Sequence, residues 1–177
     1  MGLFDFFKKK QVSITDYNKK YIVGNVPVEI NNQIDNVDWR KYETAYGNAE
    51  PTIPINLKHL FGDDKRIAMN ATHQLWCSLC HQHAYISSAS LPSYEILKIG
   101  LLQLDDELKI ELLDIFRGFS VCTSDQYIKA CKRTRSDWEE KLKQKLIRDI
   151  ELFKELTKHT NEDITDFACR IVDDLAN

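Results

Sequence analysis

The strongest constraint on this chain is the apolar run Leu108, Leu112, Ile115 and Phe119, widened by Leu113 and Phe116. Steps of three and four residues set those side chains on one face of an α-helix and turn that face toward a core. Similar periodicity runs through residues 57–119. Short breaks interrupt it at Gly62-Asp63-Asp64, at residues 87–92 and at Asp105-Asp106. Between the breaks lie helices of roughly 11 to 20 residues, a spacing that suits stacked helical hairpins.

Around this centre the chain reads as follows. Residues 11–36 are the least helical part, and Tyr21-Ile22-Val23, Gly24-Asn25, Val26 and Val28 to Ile30 suggest a small hairpin or an extended loop. Asp35 or Asn36 can cap a helix through Trp39, Tyr42, Ala45 and Tyr46 that stops at Gly47. Pro51 suits the start of a helix burying Ile53, Leu57, Leu60 and Phe61. Asp63-Asp64 opens what reads as the longest central helix, with Ile67, Ala71, Leu75 and Leu79 on one face and Trp76 beside them. The next helix carries Ile96, Leu97, Leu101 and Leu104, and Asp105 caps the one after it. Ser136-Asp137-Trp138-Glu139 is a capping box ahead of a long stripe at Trp138, Leu142, Leu146, Ile150, Phe153 and Leu156. Residues 160–163 start a last helix burying Ile164, Ala168, Ile171 and Leu175.

The 177 residues suit one domain that buries roughly 70% of its unfolded surface. We divide it into an irregular cap over residues 1–36, a core over 37–122 and C-terminal helices over 123–177. The fold class is all-α. A formal charge of −3 supplies no global attraction to nucleic acid or to an anionic membrane. Five cysteines, an odd number, do not form a disulfide framework and fit a reducing cytoplasm. No stretch approaches the apolar length of a membrane span. The opening MGLFDFFKKK is amphipathic. It reads either as a membrane-surface anchor or, more economically, as a capping turn packing its phenylalanines on the first helices.

Candidate chemistry is sparse. Cys77-Ser78-Leu79-Cys80-His81 matches the haem-attachment pattern, but nothing directs the chain to an exported, oxidising setting. His73, Cys77, Cys80 and His81 share one helix side, yet four ligands on one straight helix cannot surround a zinc ion. A ligand such as His59 or Cys122 would have to come from elsewhere. The cysteines read more simply as small core residues. There is no P-loop, no G-x-G-x-x-G, no G-x-S-x-G and no H-E-x-x-H. We therefore expect no catalytic residue, metal or cofactor.

A set of positions carries a resemblance. Trp39, Tyr46-Gly47-Asn48-Ala49, Pro51, Pro54, Leu57, Leu60, Asp64, Arg66, Ala68, His81-Gln82, Tyr85 and Ser88-Ala89 resemble a bacterial HEAT-repeat-like family. The match covers about residues 38–119. It departs from the family at His83, where that family has glycine, and at Leu91-Pro92, where its proline sits earlier. The resemblance implies a HEAT-like α-solenoid of stacked helical hairpins, with an irregular or small β-hairpin N-terminal segment. The chain's size and opening residues also resemble immunity proteins of bacterial toxin and contact-dependent growth inhibition systems.

Charge is unevenly spread. Residues 129–148 hold eight Lys or Arg against three acids, whereas residues 105–117 hold five acids against two bases and residues 162–174 five against one. Solvated helix faces explain most such runs. On an immunity protein, however, Asp105, Asp106, Glu107, Glu111 and Asp114 would form an acidic face for a basic toxin, a nuclease above all, with Tyr85 and Trp39 as aromatic anchors. The expected partner is then that cognate toxin, with no nucleic acid and no membrane, and the free protein a monomer. The alternative is a nucleic-acid-binding or nucleic-acid-modifying protein whose Lys129, Lys132, Arg133, Arg135, Lys141, Lys143 and Lys145 track a phosphate backbone.

Overall fold

A computed structural model describes residues 25–176. The fold is predominantly helical with one small two-stranded hairpin. In chain order come α1 (Val28–Asp35), a 3-10 turn (Trp39–Lys41), β1 (Glu43–Thr44), β2 (Gly47–Asn48), α2 (Thr52–Leu60) and α3 (Lys65–Leu79). A second 3-10 turn (His81–His83) leads to α4 (Ser90–Gln103), α5 (Asp106–Thr123), α6 (Asp125–Ala130), α7 (Asp137–Arg148), α8 (Ile150–Leu156) and α9 (Glu162–Ala176). Among the described residues the longest helix is α5 rather than α3. The opening MGLFDFFKKK lies outside the described residues.

Helix α5 is the axis of the molecule. Ten of its 18 residues are buried, which requires neighbours on more than one side, and α3, α4, α7 and α9 supply them. Asp105 caps it, its carboxylate accepting from the Leu108 N–H at 3.2 Å. Phe116 sits at the centre, with its ring edge-on to Tyr94, Phe119 and Phe153 at 5.3, 5.9 and 5.5 Å. Three elements are joined there by contacts that favour T-shaped aromatic pairs.

Three expectations are corrected. Val28 to Ile30 are not extended but open α1, because Ile30 and Ile34, four apart, both reach the core and the Asn31 amide donates to Asp35. The helix expected through Trp39 to Tyr46 is replaced by a 3-10 turn and a hairpin, with Glu43 opposite Asn48 and Thr44 opposite Gly47. Gly47 adopts φ +114°, which side chains rarely allow, and Thr44 Oγ1 donates to its carbonyl at 2.9 Å. Distant groups compete successfully for this backbone. The Ala45 N–H donates to Ser78 O, the Ala89 N–H to Glu43 O and the Glu43 N–H to Ser88 Oγ, stitching the hairpin between the end of α3 and the start of α4. Lastly, the long stripe after the capping box is broken at Asp149 into α7 and α8. The Asp149 carboxylate is held there by Lys98 at 2.9 Å and Arg148 at 2.7 Å.

Candidate interaction surface around the His81-Gln82-His83 turn

Helix α3 ends at Cys80, whose φ of −139° leaves the helical region. The following residues Gln82 and His83 take φ +52° and +56°. Two successive side-chain-bearing residues in the left-handed region cost about 1–3 kcal/mol each and persist only where their surroundings hold them. Here the surroundings are specific. His83 Nε2 lies 3.0 Å from both the main-chain oxygen and Oδ1 of Asp114. Both are acceptors, so Nε2 carries the proton. The ring stands edge-on to Trp76 at 6.1 Å. The His83 carbonyl accepts from Cys122 Sγ at 3.3 Å, and the Tyr127 hydroxyl donates to the next carbonyl, that of Ala84. Gly118 of α5 lets the turn approach, since a Cβ there would stand 2.6 Å from Cys80 Cβ and 3.1 Å from the His83 ring.

This anchoring can be tested directly. His83→Ala is expected to lose about 2 kcal/mol of unfolding free energy, because it keeps the left-handed strain and removes the ring's hydrogen bond. His83→Gly is expected to lose less, since glycine accepts that backbone freely. Equal losses in urea titrations of the two variants would mean that backbone strain has no part in the turn.

Aromatic side chains crowd the turn. Tyr46, 67% exposed, places its hydroxyl 3.1 Å from His81 Nδ1, with the two rings perpendicular at 5.8 Å. Tyr85 is 52% exposed. His73 stacks on Trp76 at 6.1 Å, with its Nε2 3.7 Å from Cys77 Sγ. Carboxylates complete the rim. Burial, then the nearby Asp114, pushes the Glu111 carboxyl above its ordinary value. Burial also raises that of Asp174, against the pull of its hydrogen bond from Ser120 at 2.9 Å.

The two buried thiols, Cys80 and Cys122, are not poised as nucleophiles. Burial pushes Cys122 up to about 12 and Cys80 well above the ordinary range, so both stay protonated and donate to carbonyls. Of the zinc set weighed from sequence, His73 is on Trp76, Cys80 faces the core and His81 is on Tyr46. Among the described residues no three metal-capable side chains converge, and no helix is long and apolar enough to cross a membrane.

The expected acidic row divides. Glu111 and Asp114 belong to this surface. Asp105 is half engaged as a cap, and Lys65 bonds both it and Glu107 at 3.1 and 2.7 Å. Asp106 lies 3.8 Å from Lys109 and from His159. Trp39 is corrected outright as an anchor. It is 4% exposed, and its indole N–H donates to Ile34 O at 2.8 Å.

The basic segment is largely occupied by the protein's own acids. Arg133 grips Glu139 through two nitrogens at 2.8 and 3.0 Å. Arg135 and Lys143 share Asp125, and Lys145 and Arg148 share Glu95. Among the described residues Lys129, Lys132 and Lys141 form no ion pair. The sharing of Glu95 and Asp125 joins residues from 10 to 53 apart in sequence, and no local spacing signals it. The exposure of Tyr46 could have been read from its place beside a turn glycine, a position where side chains project. Compared with family models, curated proteins and solved structures, the chain matches none.

Proposed function

We propose that this chain is a protein-binding immunity protein that neutralises a cognate bacterial toxin by covering its active site. The carrying observation is the rigid, strained turn at Gln82-His83, set between exposed Tyr46 and Tyr85 and rimmed by Glu111 and Asp114. Exposed tyrosines on a pre-organised support suit an interface anchor, since little ordering cost remains to oppose binding. The carboxylates suit a basic counterpart, and a nuclease cleft is of that kind. The HEAT-like arrangement of stacked hairpins belongs to the same proposal. A left-handed backbone at His83, where that family has glycine, supports the resemblance.

The alternative, a phosphate-tracking surface along residues 129–148, is less favoured because Arg133, Arg135, Lys143 and Lys145 are already paired. A nucleic acid would have to displace those carboxylates before neutralising the cations.

Co-expression with the product of the adjacent upstream gene tests the proposal, with host growth and co-purification as readouts. A product that kills alone and is neutralised in a stable complex carries it. A harmless neighbour that forms no complex sinks it. In that complex Glu111→Lys is expected to weaken binding at least about tenfold and to flatten its salt dependence, while Tyr85→Ala acts mainly on the dissociation rate. Unchanged affinity and salt slope in Glu111→Lys would remove the acidic rim from the interface.

A further inference from the structure

A second surface carries the opposite charge. Between the start of α4 and the outer side of α7 lies an open groove of about 560 Å³, within the range that binding clefts occupy. Tyr42, Leu91 and Pro92 form its apolar part. Lys141, Lys145 and Arg148, at helical steps of four and three, run along the α7 wall. Glu95 lies within it and bonds Lys98, Lys145 and Arg148 together, each within 2.9 Å. Glu140 lies beside Lys141 but is held by Arg135 at 2.8 Å and by Gln144.

The charges on this wall do not balance. Of its lining residues, Lys141, Lys145 and Arg148 stand against Glu95 and Glu140, an excess of one positive charge on a protein of formal charge −3. The excess arises because Glu95 serves both Lys145 and Arg148. Lys141 has no ion pair among the described residues. A carboxylate brought to Lys141 therefore gains a partner without breaking an internal bond.

We propose that this groove binds an extended acidic peptide segment of a partner protein. One apolar side chain of the segment packs on Tyr42, Leu91 and Pro92, and a neighbouring carboxylate pairs with Lys141, the lining cation that no acid among the described residues holds. Spaced carboxylates fit between Glu95 and Glu140. A continuous phosphate backbone does not, because both acids would face it at close range. This site is separate from the surface at His83 and does not depend on the toxin reading.

The test uses the full chain and a fluorescein-labelled decapeptide in which Glu and Asp alternate with Leu and Phe, read by fluorescence anisotropy. Saturable binding is expected. It should weaken with salt and fall at least about tenfold in Lys141→Glu, a change that leaves the internal pairs intact. Leu91→Arg should abolish binding through the apolar part of the groove, and Glu111→Lys should leave it unchanged. Matching thermal melts would show that both groove variants fold. The proposal is overturned by absence of binding, by equal binding of the same peptide with Lys in place of its acids, or by unaltered affinity in Lys141→Glu. It is also overturned if a single-stranded oligonucleotide binds more tightly than the peptide and loses that binding in Lys141→Glu.

Discussion

Gly118→Ala is expected to lower the melting temperature by about 4–8 °C, the loss of about 2 kcal/mol in a protein of this size. An ordinary exposed helix would respond in the opposite direction, since Ala stabilises a helix interior by up to about 1 kcal/mol over Gly. Here the added Cβ would stand 2.6 Å from Cys80 Cβ and 2.8 Å from its Sγ. Neither atom can swing away. Cys80 is the cap of α3, its N–H donates to Trp76 O at 3.1 Å and its thiol to the same oxygen at 3.6 Å. Relief requires α3 and α5 to separate, which loosens the His83 turn between them. Gly100→Ala is the control. Its Cβ would meet the Cδ1 tip of Leu112 at 2.9 Å, and a leucine tip can rotate. That variant is expected to change stability by less than about 1 kcal/mol. Equal melting temperatures for Gly118→Ala and the wild type would refute the close approach, and Gly118→Val should lose about 3 kcal/mol or more.

The same pair of glycines shows where sequence patterns stop. The stripe on α5 was legible because Leu108, Leu112, Ile115 and Phe119 must share a helix face whatever surrounds them. The Asp105 cap and the Ser136–Glu139 box were legible too, since each satisfies backbone donors within its own first turn. The hairpin at 43–48 was not. Trp39, Tyr42, Ala45 and Tyr46 imitate helical spacing, while the partners that decide the local structure, Ser78 and Ser88, lie more than 30 residues away. Trp39 failed as an anchor for the same reason. An aromatic residue in an irregular segment can face either way, and α1 closes over this one by offering the Ile34 carbonyl.

The candidate surface around His83 was half legible. Glu111 and Asp114 were found as charges, but their neighbours could not be. His83 looks unremarkable in sequence except that it stands where a resembling family has glycine. Only its φ of +56° shows why a glycine would suit that position, and only Asp114 shows how a histidine is kept there. Lys143 and Lys145 read as a free basic run because Asp125 and Glu95, which neutralise them, belong to other helices.

Glu139→Ala is expected to lose about 3 kcal/mol, and the loss should shrink in acid. Glu139 is 5% exposed, holds Arg133 through both oxygens and closes the capping box by accepting from the Ser136 N–H and Oγ. Removing it leaves the guanidinium without its carboxylate and the Ser136 N–H without its acceptor. Burial alone would raise the Glu139 carboxyl, but Arg133 and Ser136 outweigh it and hold it below its ordinary value. For Glu95 and Asp149 burial is likewise overcome, by Lys145, Lys98 and Arg148 for the first and by Arg148 and Lys98 for the second, and both fall to about 2. A carboxyl whose folded value is depressed contributes stability above its unfolded value, 4.5 for Glu95 and 3.8 for Asp149, and loses it as pH falls toward about 2. Glu111 and Asp174 act in the opposite sense. Their folded values are raised, so they cost stability at neutral pH, and protonation relieves the cost as pH falls. Stability should therefore change little or rise slightly from pH 7 toward pH 5 and then collapse below about pH 4. Denaturant titrations at pH 7, 5 and 3 decide the matter. In Glu111→Gln the rise toward pH 5 should flatten, and in Glu139→Gln the acid collapse should become shallower. A Glu139→Gln curve parallel to that of the wild type down to pH 3 would mean that the Arg133 pair does not depress this carboxyl.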